Sequence, residues 1–449
     1  MPQTPNTRLQ LLLQAAGWNQ TQLAAALRRV AAEHGQQLAC DHSAVSRWLA
    51  GARPRPPASD FLVECLARRL GRPVTARDAG LTRAPDLMEG HQLSGEADPL
   101  RSLARLTAAE LDPARRRLLG TAVFSLAALA TPDLTQASPS PSVRQPAVAA
   151  PGRGSASAAH AAHMYTMTTV FADVAERHGG ASIRAALAAY LAHDVTGWLH
   201  TPSPDTIHHT LLTGAARLTL LLGSACADSG DSAAAQRYHK TAARLAAQAS
   251  DQATLAIALR TMATHAHDLG HYGPPVLNLA EQAAHQARGA PPAIRVYTQA
   301  HLAVLNAHHD KHAALTALNR AERLADQMDS TPGPFTAYPA GALHYQRAHA
   351  LATLGDHTGA LGALTLSLRL RTEGEQRART LTHARLAETH LRLGHLETAL
   401  THWRTFLDNY PALHSAAAER RVAALRQHLR PHRRHSAAAA LLAQAGALS

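Results

Sequence analysis

Six side chains suited to nucleic-acid contact fall within residues 42–55; they are His42, Ser43, Ser46, Arg47, Arg53 and Arg55. An arginine can donate two hydrogen bonds to the edge of guanine in the major groove, and a serine can pair with either base type. Arg53 and Arg55 belong to the proline-restricted stretch ARPRPP, and their charges suit phosphate oxygens. The alternative for Arg47 is a solvated surface charge, and the same alternative holds for the two serines.

The chain around these residues is unusually basic. Its 449 residues carry a formal net charge of +12, and hydrophobic residues make up 46%. Residues 1–83 contain eleven arginines and five acidic residues, about half of the net charge in under a fifth of the chain. Such a balance favours polyanionic partners, nucleic acid above all.

The elements that would position these side chains are short helices. Leu9 to Ala15 predicts a first helix, which ends before Gly17. Asn19 and Gln22 stand at the positions of a capping box and open a second helix, whose first residue, Gln20, is placed to meet a phosphate.

Asp41 can cap a third helix, DHSAVSRWLAG, which Gly51 ends. Ala44, Val45, Trp48 and Leu49 share one side of this helix, and the polar residues fall on the other. We interpret Trp48 as core. Residues 59–70 predict a fourth amphipathic helix.

The second half of the chain contains a repeat. A turn is followed five residues later by a small residue in Gly230 with Ala235, Gly355 with Ala360, Gly394 with Ala399, and more weakly in His309 with Ala314 and Gly270 with Pro275. Glycine frees the backbone to end one helix, and the small residue lets the next helix approach closely. The pattern predicts a stack of helical hairpins.

These observations predict an all-α chain with an N-terminal helix-turn-helix bundle and an α-solenoid of helical hairpins. The expected divisions are a DNA-binding domain (1–85), a helical connector (86–130), a disordered linker (131–158), a helical repeat domain (159–430) and a basic, Ala-rich tail (431–449). The linker is expected to be disordered because it is rich in Pro, Ser, Gly and Ala and has almost no large apolar residue.

Two sets of motifs resemble known families. The strings QTQLAAAL and SAVSRWLAGARPRP are similar to the Cro/C1 (XRE) helix-turn-helix family, and LGDHTGALGAL and LGHLETALTHW resemble tetratricopeptide (TPR) repeats. The combination, extended by DPARRRLLGTAVFSLAALA and HGGASIRAALAAYLAHDV, resembles a group of actinobacterial regulators. The resemblance implies transcriptional control. The thirteen residues Arg28–Cys40 depart from the family's tight turn and must lengthen the second helix or form a loop.

Other chemistry finds little support. The sequence has no phosphate loop, dinucleotide fingerprint or nucleophile elbow, so we expect no enzyme activity and no cofactor. The thirty histidines include His265 with His267 and His308 with His312, yet no HExxH motif occurs, and we expect no metal site. Three scattered cysteines and the lack of a secretory N-terminus predict a cytoplasmic protein with no membrane association.

Two functions remain open. One is a regulator that binds double-stranded DNA. Its expected partners are a second copy in a homodimer and a peptide or small-molecule effector in the repeat groove. The other is a TPR adaptor whose helix-turn-helix unit contacts proteins. A positive surface along the third helix would favour the first, and an apolar patch there the second. We expect Asp228 and Asp231 to be helix caps, and Tyr238, Tyr272 and Trp403 to lie in the repeat core.

Overall fold

The computed structural model describes residues 5–33, 36–70, 74–81, 98–113, 116, 124–129, 155–328, 335 and 337–448. These residues form α-helices joined by turns and short 3-10 segments, and they contain no β-strand. The predicted all-α class is confirmed.

The N-terminal helices, here called the head, are α1 (Thr7–Ala15), α2 (Gln20–Glu33), α3 (His42–Leu49) and α4 (Ala58–Leu70). Each buries one apolar face in a shared core whose largest members are Leu9, Leu23, Leu27, Val45, Trp48, Phe61, Leu62 and Leu66. Trp48 is 9% exposed, so its prediction as a core residue is confirmed.

The insertion Arg28–Cys40 both lengthens the second helix and forms a non-helical connection, the two possibilities that the sequence allowed. Helix α2 continues to Glu33, and the chain returns through a non-helical stretch, residues 36–41, to the start of α3. The longer α2 packs against both α3 and α4. The position of α3 is therefore fixed by the extended helix and the core rather than by a tight turn.

The remaining helices, here called the body, begin after the connecting segments. Helix α5 (Pro99–Leu111) precedes a 3-10 turn at Ala127–Leu129. The body then starts with α6 (Ala158–His178), followed by α7 (Arg184–Tyr190) and α8 (Thr196–His200), which are joined by a π-helical stretch, Leu191–Val195. Thr196 donates its hydroxyl hydrogen to the Leu191 carbonyl at 2.7 Å, which satisfies an acceptor at this irregularity.

Five antiparallel helix pairs follow. They are α9 (Asp205–Asp228) with α10 (Ser232–Gln248), α11 (Gln252–Asp268) with α12 (Pro274–Gln286), α13 (Pro292–Asn306) with α14 (Lys311–Ala325), α15 (Ala340–Thr353) with α16 (His357–Leu370), and α17 (Gln376–Arg392) with α18 (Leu396–Asn409). The first helices of successive pairs from α9 to α15 pack against one another, so they form the inner face of the stack. Helices α19 (Ala416–Leu429) and α20 (Ser436–Ala447) complete the body.

The turns within these pairs lie where the sequence pattern put them. Gly230, Gly270, Gly355 and Gly394 have φ between 79° and 87°, a backbone conformation that glycine adopts without steric cost. Ala235, Ala314, Ala360 and Ala399 are at most 1% exposed and lie at the helix contacts. Within the first pair, Gly223 faces the buried imidazole of His239, leaving no room there for a Cβ atom.

Two of the predicted roles in this region are wrong, those of Asp228 and Tyr272. Asp231 caps α10 by accepting a hydrogen bond from the Ala234 amide, but Asp228 caps no helix and accepts from residues of other elements. Tyr238 and Trp403 are fully buried, whereas Tyr272 is 47% exposed because it lies in the turn before α12. The pair His308 and His312 does not share a helix, since His308 is in the turn that precedes α14.

The two ends of the stack meet. Asp228, at the end of α9, accepts hydrogen bonds from Arg377 of α17 at 3.0 Å, Ser415 at 2.8 Å and the Gly180 amide at 2.9 Å. Near it, the Ala378 amide donates to Glu176 at 3.0 Å, and the His414 amide donates to the His178 carbonyl at 2.8 Å. These contacts join α6 and α9 to α17 and the start of α19, and they close the stack on itself.

A short segment, Phe124–Leu129, lies between the head and the body. The Leu126 amide donates to the Glu64 carboxylate of α4 at 2.9 Å. Ser125 exchanges two backbone hydrogen bonds with the Gln236 side chain of α10, at 2.9 and 2.6 Å. Phe124 is buried in the body, against the rings of His265 and His271. The segment therefore ties α4 to the body.

The predicted connector and linker are covered only in part. Residues 82–97, 114–115, 117–123 and 130–154 lie outside the described residues, and with them most of the predicted disordered linker. At its far end, Ala156 is buried and α6 begins at Ala158. Residues 436–447 of the predicted tail form α20, which packs against α18 and α19.

Among the described residues, one helix, α9, is long and apolar enough by composition to cross a membrane. Within its most apolar window, 61% of the residues are buried inside the fold. Its packing against α10 and α6 accounts for this composition, because a core helix is apolar for the same reason as a spanning one.

Candidate nucleic-acid interface

Helix α3 presents its polar face to solvent. The Asp41 carboxylate accepts a hydrogen bond from the Ala44 amide at 2.8 Å and so caps the helix. This hydrogen bond is the main cause of the lowered pKa of Asp41. Ala44, Val45 and Trp48 face the head core, so the residues between them must point outward.

Most of the predicted contact residues are accessible to solvent. His42, Ser46, Arg47, Arg53 and Arg55 are exposed, and Ser43 is half-buried. None of these side chains forms a hydrogen bond or an ion pair with another described residue. Their donors are therefore free to meet an external acceptor.

Three other arginines of the head have partners within it. Arg68 pairs with Glu33 at 2.5 Å and with Glu64 at 2.7 Å. Arg69 donates to the Ala16 carbonyl at 2.9 Å, and Arg8 donates to the Arg77 carbonyl at 3.0 Å. Of these three, Arg68 has carboxylate partners, whereas Arg69 and Arg8 bond to neutral carbonyl groups and keep an uncompensated charge.

Arg28 is a further exposed arginine of the head, which the sequence did not single out. It is exposed on the extended part of α2. Burial is the main cause that raises the pKa of the Cys40 thiol, and the charge of Asp41 raises this pKa further. The charges of Arg28 and Arg47 lower it. Both guanidinium groups therefore lie within electrostatic reach of one thiol. In the sequence, Arg28 was marked only as the first residue of the insertion Arg28–Cys40. The sequence did not decide whether this insertion forms a helix or a loop.

The start of α2 offers free backbone donors. Gln22 donates its amide hydrogen to the Asn19 side chain at 2.8 Å, and the Asn19 amide donates to the Gln22 side chain at 2.9 Å, as the capping box requires. The amides of Gln20 and Thr21 lie in the first turn and have no acceptor within the helix. Gln20 itself is half-buried. Such an end suits a phosphate.

Large apolar side chains are not exposed on this side of the head. Of the described residues of the head, Leu11 on α1 is the one large hydrophobic residue that is strongly exposed, at 64%. The exposed side chains of α3, which are His42, Ser46 and Arg47, are polar or basic.

Two pairs of histidines lie close together in the body. His267 and His308 approach to 3.2 Å between their Nε2 atoms, and His383 and His402 approach to 3.0 Å between their Nδ1 atoms. Across the described ranges, no three His, Cys, Asp or Glu side chains converge in a way that could hold a metal ion.

Comparison with known families gives one match. The family described as the SP15 N-terminal domain matches residues 9–82, which cover most of α1, all of α2 to α4 and the segment after them. The match covers well under half of the chain. No curated protein matches the sequence.

Proposed function

We propose that the protein is a transcription regulator whose head binds double-stranded DNA through α3 and whose body dimerises or senses an effector. The observation that carries the proposal is the set of exposed, unpaired side chains on α3 and its following loop, with Arg47 at its centre. A short helix with a buried apolar face and an outward polar face fits the major groove of B-DNA.

The surrounding surface supports a division of roles. Arg47, Ser43, Ser46 and His42 lie on the helix that would face base edges. We assign the exposed Arg53 and Arg55 in the loop, Arg28 on α2 and the amides at Gln20 to contacts with the sugar-phosphate backbone. Phosphate contacts would fix the register of the head, and α3 would supply the sequence preference.

The likeness of the sequence motifs to XRE-type regulators with TPR-like repeats supports the same proposal, and with it a cytoplasmic homodimer. The closed stack of helix pairs provides an inner face on which an effector could act. The tie between Glu64, Leu126 and Gln236 gives a physical route from the body to α4 of the head.

Selection from a pool of random duplexes, followed by gel shifts of the recovered and the starting pools at near-physiological salt, tests the proposal. We expect a recurring motif, bound at least a hundredfold more tightly than random DNA. Binding that shows no motif and disappears with added salt would contradict it and would favour the adaptor function, in which the head contacts proteins.

A further inference from the structure

Arg260 is a buried arginine without a counter-ion. It lies on α11, at the inner face of the helix stack, and is 8% exposed. No carboxylate of the described residues lies within ion-pair distance of its guanidinium group. Its one hydrogen bond runs from Nη1 to the Tyr297 hydroxyl at 3.0 Å, and its Nε is buried without an acceptor.

Two tyrosines complete the surroundings of this guanidinium group. The Tyr297 ring, on α13, lies 3.9 Å from the Arg260 Cζ atom, measured to the ring centroid. Tyr338, just before α15, packs edge-on against Tyr297 with 5.6 Å between the ring centroids. Tyr338 is 7% exposed, and its hydroxyl group has no hydrogen-bond partner among the residues that the structure describes. Three successive elements of the inner face thus contribute one side chain each.

The local field is positive. The charge of Arg371 also lowers the pKa of Tyr338. That charge is compensated by Glu375, whose carboxylate lies 2.8 Å from the Arg371 guanidinium. The pKa of the neighbouring His301 lies well below its ordinary value. Burial is the largest cause, and the charge of Arg260 is the next. Arginine cannot lose its proton in a protein, so the charge of Arg260 persists while its neighbours stay neutral.

A buried charge without a partner is strongly unfavourable, and a stacked tyrosine offsets only part of that cost. An apolar side chain of similar size would pack at this position without the penalty. Packing alone therefore does not explain the Arg260 guanidinium without a counter-ion or the Tyr338 hydroxyl without an acceptor. An oxyanion between them would supply the missing counter-ion and the missing acceptor at once.

We infer that Arg260, Tyr297 and Tyr338 form a binding site for a small anionic ligand, whose carboxylate or phosphate group pairs with Arg260 and accepts a hydrogen bond from Tyr338. The site itself does not depend on DNA binding; its use as an effector site rests on the proposed function.

The position of the site suits such a use. Helix α11 carries Arg260 near its middle and His265 near its end. The His265 ring packs edge-on against Phe124 at 5.4 Å between centroids. Phe124 belongs to the segment whose Leu126 amide contacts Glu64 in the head. A ligand that moves α11 would therefore act on the segment that ties the head to the body.

Thermal unfolding of the full-length protein tests the site without DNA. Sodium phosphate and sodium acetate are titrated separately against sodium chloride at equal ionic strength and pH. We expect Tm to rise with the concentration of at least one of the two oxyanions, because a ligand that binds the folded state stabilises it. The stronger of the two identifies the group as phosphate or carboxylate. No rise beyond that given by chloride, with either salt, would overturn the inference.

Three variants sharpen the test. Arg260→Met should melt at the same temperature as the wild type or higher without ligand, and should lose the response to the oxyanion. Tyr338→Phe keeps the ring, should fold normally and should bind the oxyanion at least threefold more weakly. Arg323→Gln, an exposed arginine on α14, is the matched control and should respond like the wild type. A full response in Tyr338→Phe, or a Tm of Arg260→Met several degrees below that of wild type, would contradict the site.

A gel shift in the presence of the effective oxyanion separates the site from the proposed function. A change in DNA affinity that Arg260→Met abolishes would support the effector role, and an unchanged affinity would exclude that role. Oxyanion binding by a protein with no sequence-specific DNA binding would leave the site intact and overturn the proposed function instead.

Discussion

Asp228 and Arg377 form an ion pair at 3.0 Å although 149 positions separate them in the sequence. The carboxylate is 9% exposed and also accepts from Ser415 and from the Gly180 amide, so each of its oxygens has a partner. The pair joins the first helix pair of the body to the last, and the shape of the inner face depends on it.

Replacement of Asp228 by Asn should therefore destabilise the body. The substitution leaves Arg377 without a counter-ion, and breaking a buried pair on one side costs about 2–4 kcal/mol when one partner keeps some contact with solvent. Denaturant unfolding of the full-length protein measures the change. Asp173→Asn is the control, because Asp173 pairs with Arg177 at the surface and should contribute under about 1 kcal/mol. Equal losses in the two variants would show that the contact does not hold the stack closed.

Arg47 and Arg55 should differ in what they contribute to DNA binding. Arg47→Ala should weaken binding to the preferred sequence by about 1–3 kcal/mol and should relax the preference at one position, if its guanidinium reads a base edge. Arg55→Ala should weaken binding to all sequences alike and lower the salt slope by about one. Titrations of both variants on preferred and random duplexes at several salt concentrations measure this. Equal losses on random DNA would remove the base-reading role from Arg47.

Gly223 should not tolerate a methyl group. A Cβ at this position would lie 2.4 Å from the His239 Cδ2 atom, inside the contact between α9 and α10. Gly223→Ala should lower the free energy of unfolding by about 1–3 kcal/mol through overpacking. Gly362→Ala, in the middle of α16 with open space around it, should instead raise it by up to about 1 kcal/mol. If both substitutions changed the free energy of unfolding in the same direction, backbone entropy rather than the His239 contact would determine the effect at Gly223.

Acid should destabilise the body through its buried histidines. Burial, followed by the neighbours His383 and His390, lowers the pKa of His402 to about 4 from an ordinary value of 6.5. The unfolded chain binds more protons than the folded one between these values. Stability is thus fully present above pH 6.5 and is lost as the pH falls towards 4.

Unfolding measured at several pH values between 7 and 4 tests this expectation. His402→Gln should give a shallower loss of stability across the window than the wild type. His209→Gln, at an exposed position on α9, should leave the pH dependence unchanged. A slope for His402→Gln as steep as that of the wild type would mean that the imidazole is not held neutral by the fold.

Local sequence signals predicted the helices well. The capping pair Asn19 and Gln22, the Asp41 cap and the glycines of the turns act over three to five residues, and the structure places all of them as expected. Helical periodicity also separated the buried face of α3, with Trp48, from its polar face. The same local logic identified the candidate interface residues apart from Arg28.

Contacts between distant positions were beyond these signals. Asp228 looks like a helix cap in the sequence because it stands before a turn, yet its partners Gly180, Arg377 and Ser415 lie 48 to 187 positions away. Tyr272 looks like a core aromatic, but the fold places it in an exposed turn, stacked on His308. Nothing in the neighbourhood of Arg260 along the chain marks it as unpaired, because its surroundings come from α13 and the segment before α15.

Recovery of bound fragments from fragmented genomic DNA, by full-length protein and by Arg47→Ala in parallel, tests the central claim most directly. The proposed function predicts a recurring motif that the wild type enriches well above random fragments and that the variant recovers poorly. Recovery of fragments without a common motif, equal for both proteins and removed by moderate salt, would contradict it and leave the basic head with general electrostatic attraction alone.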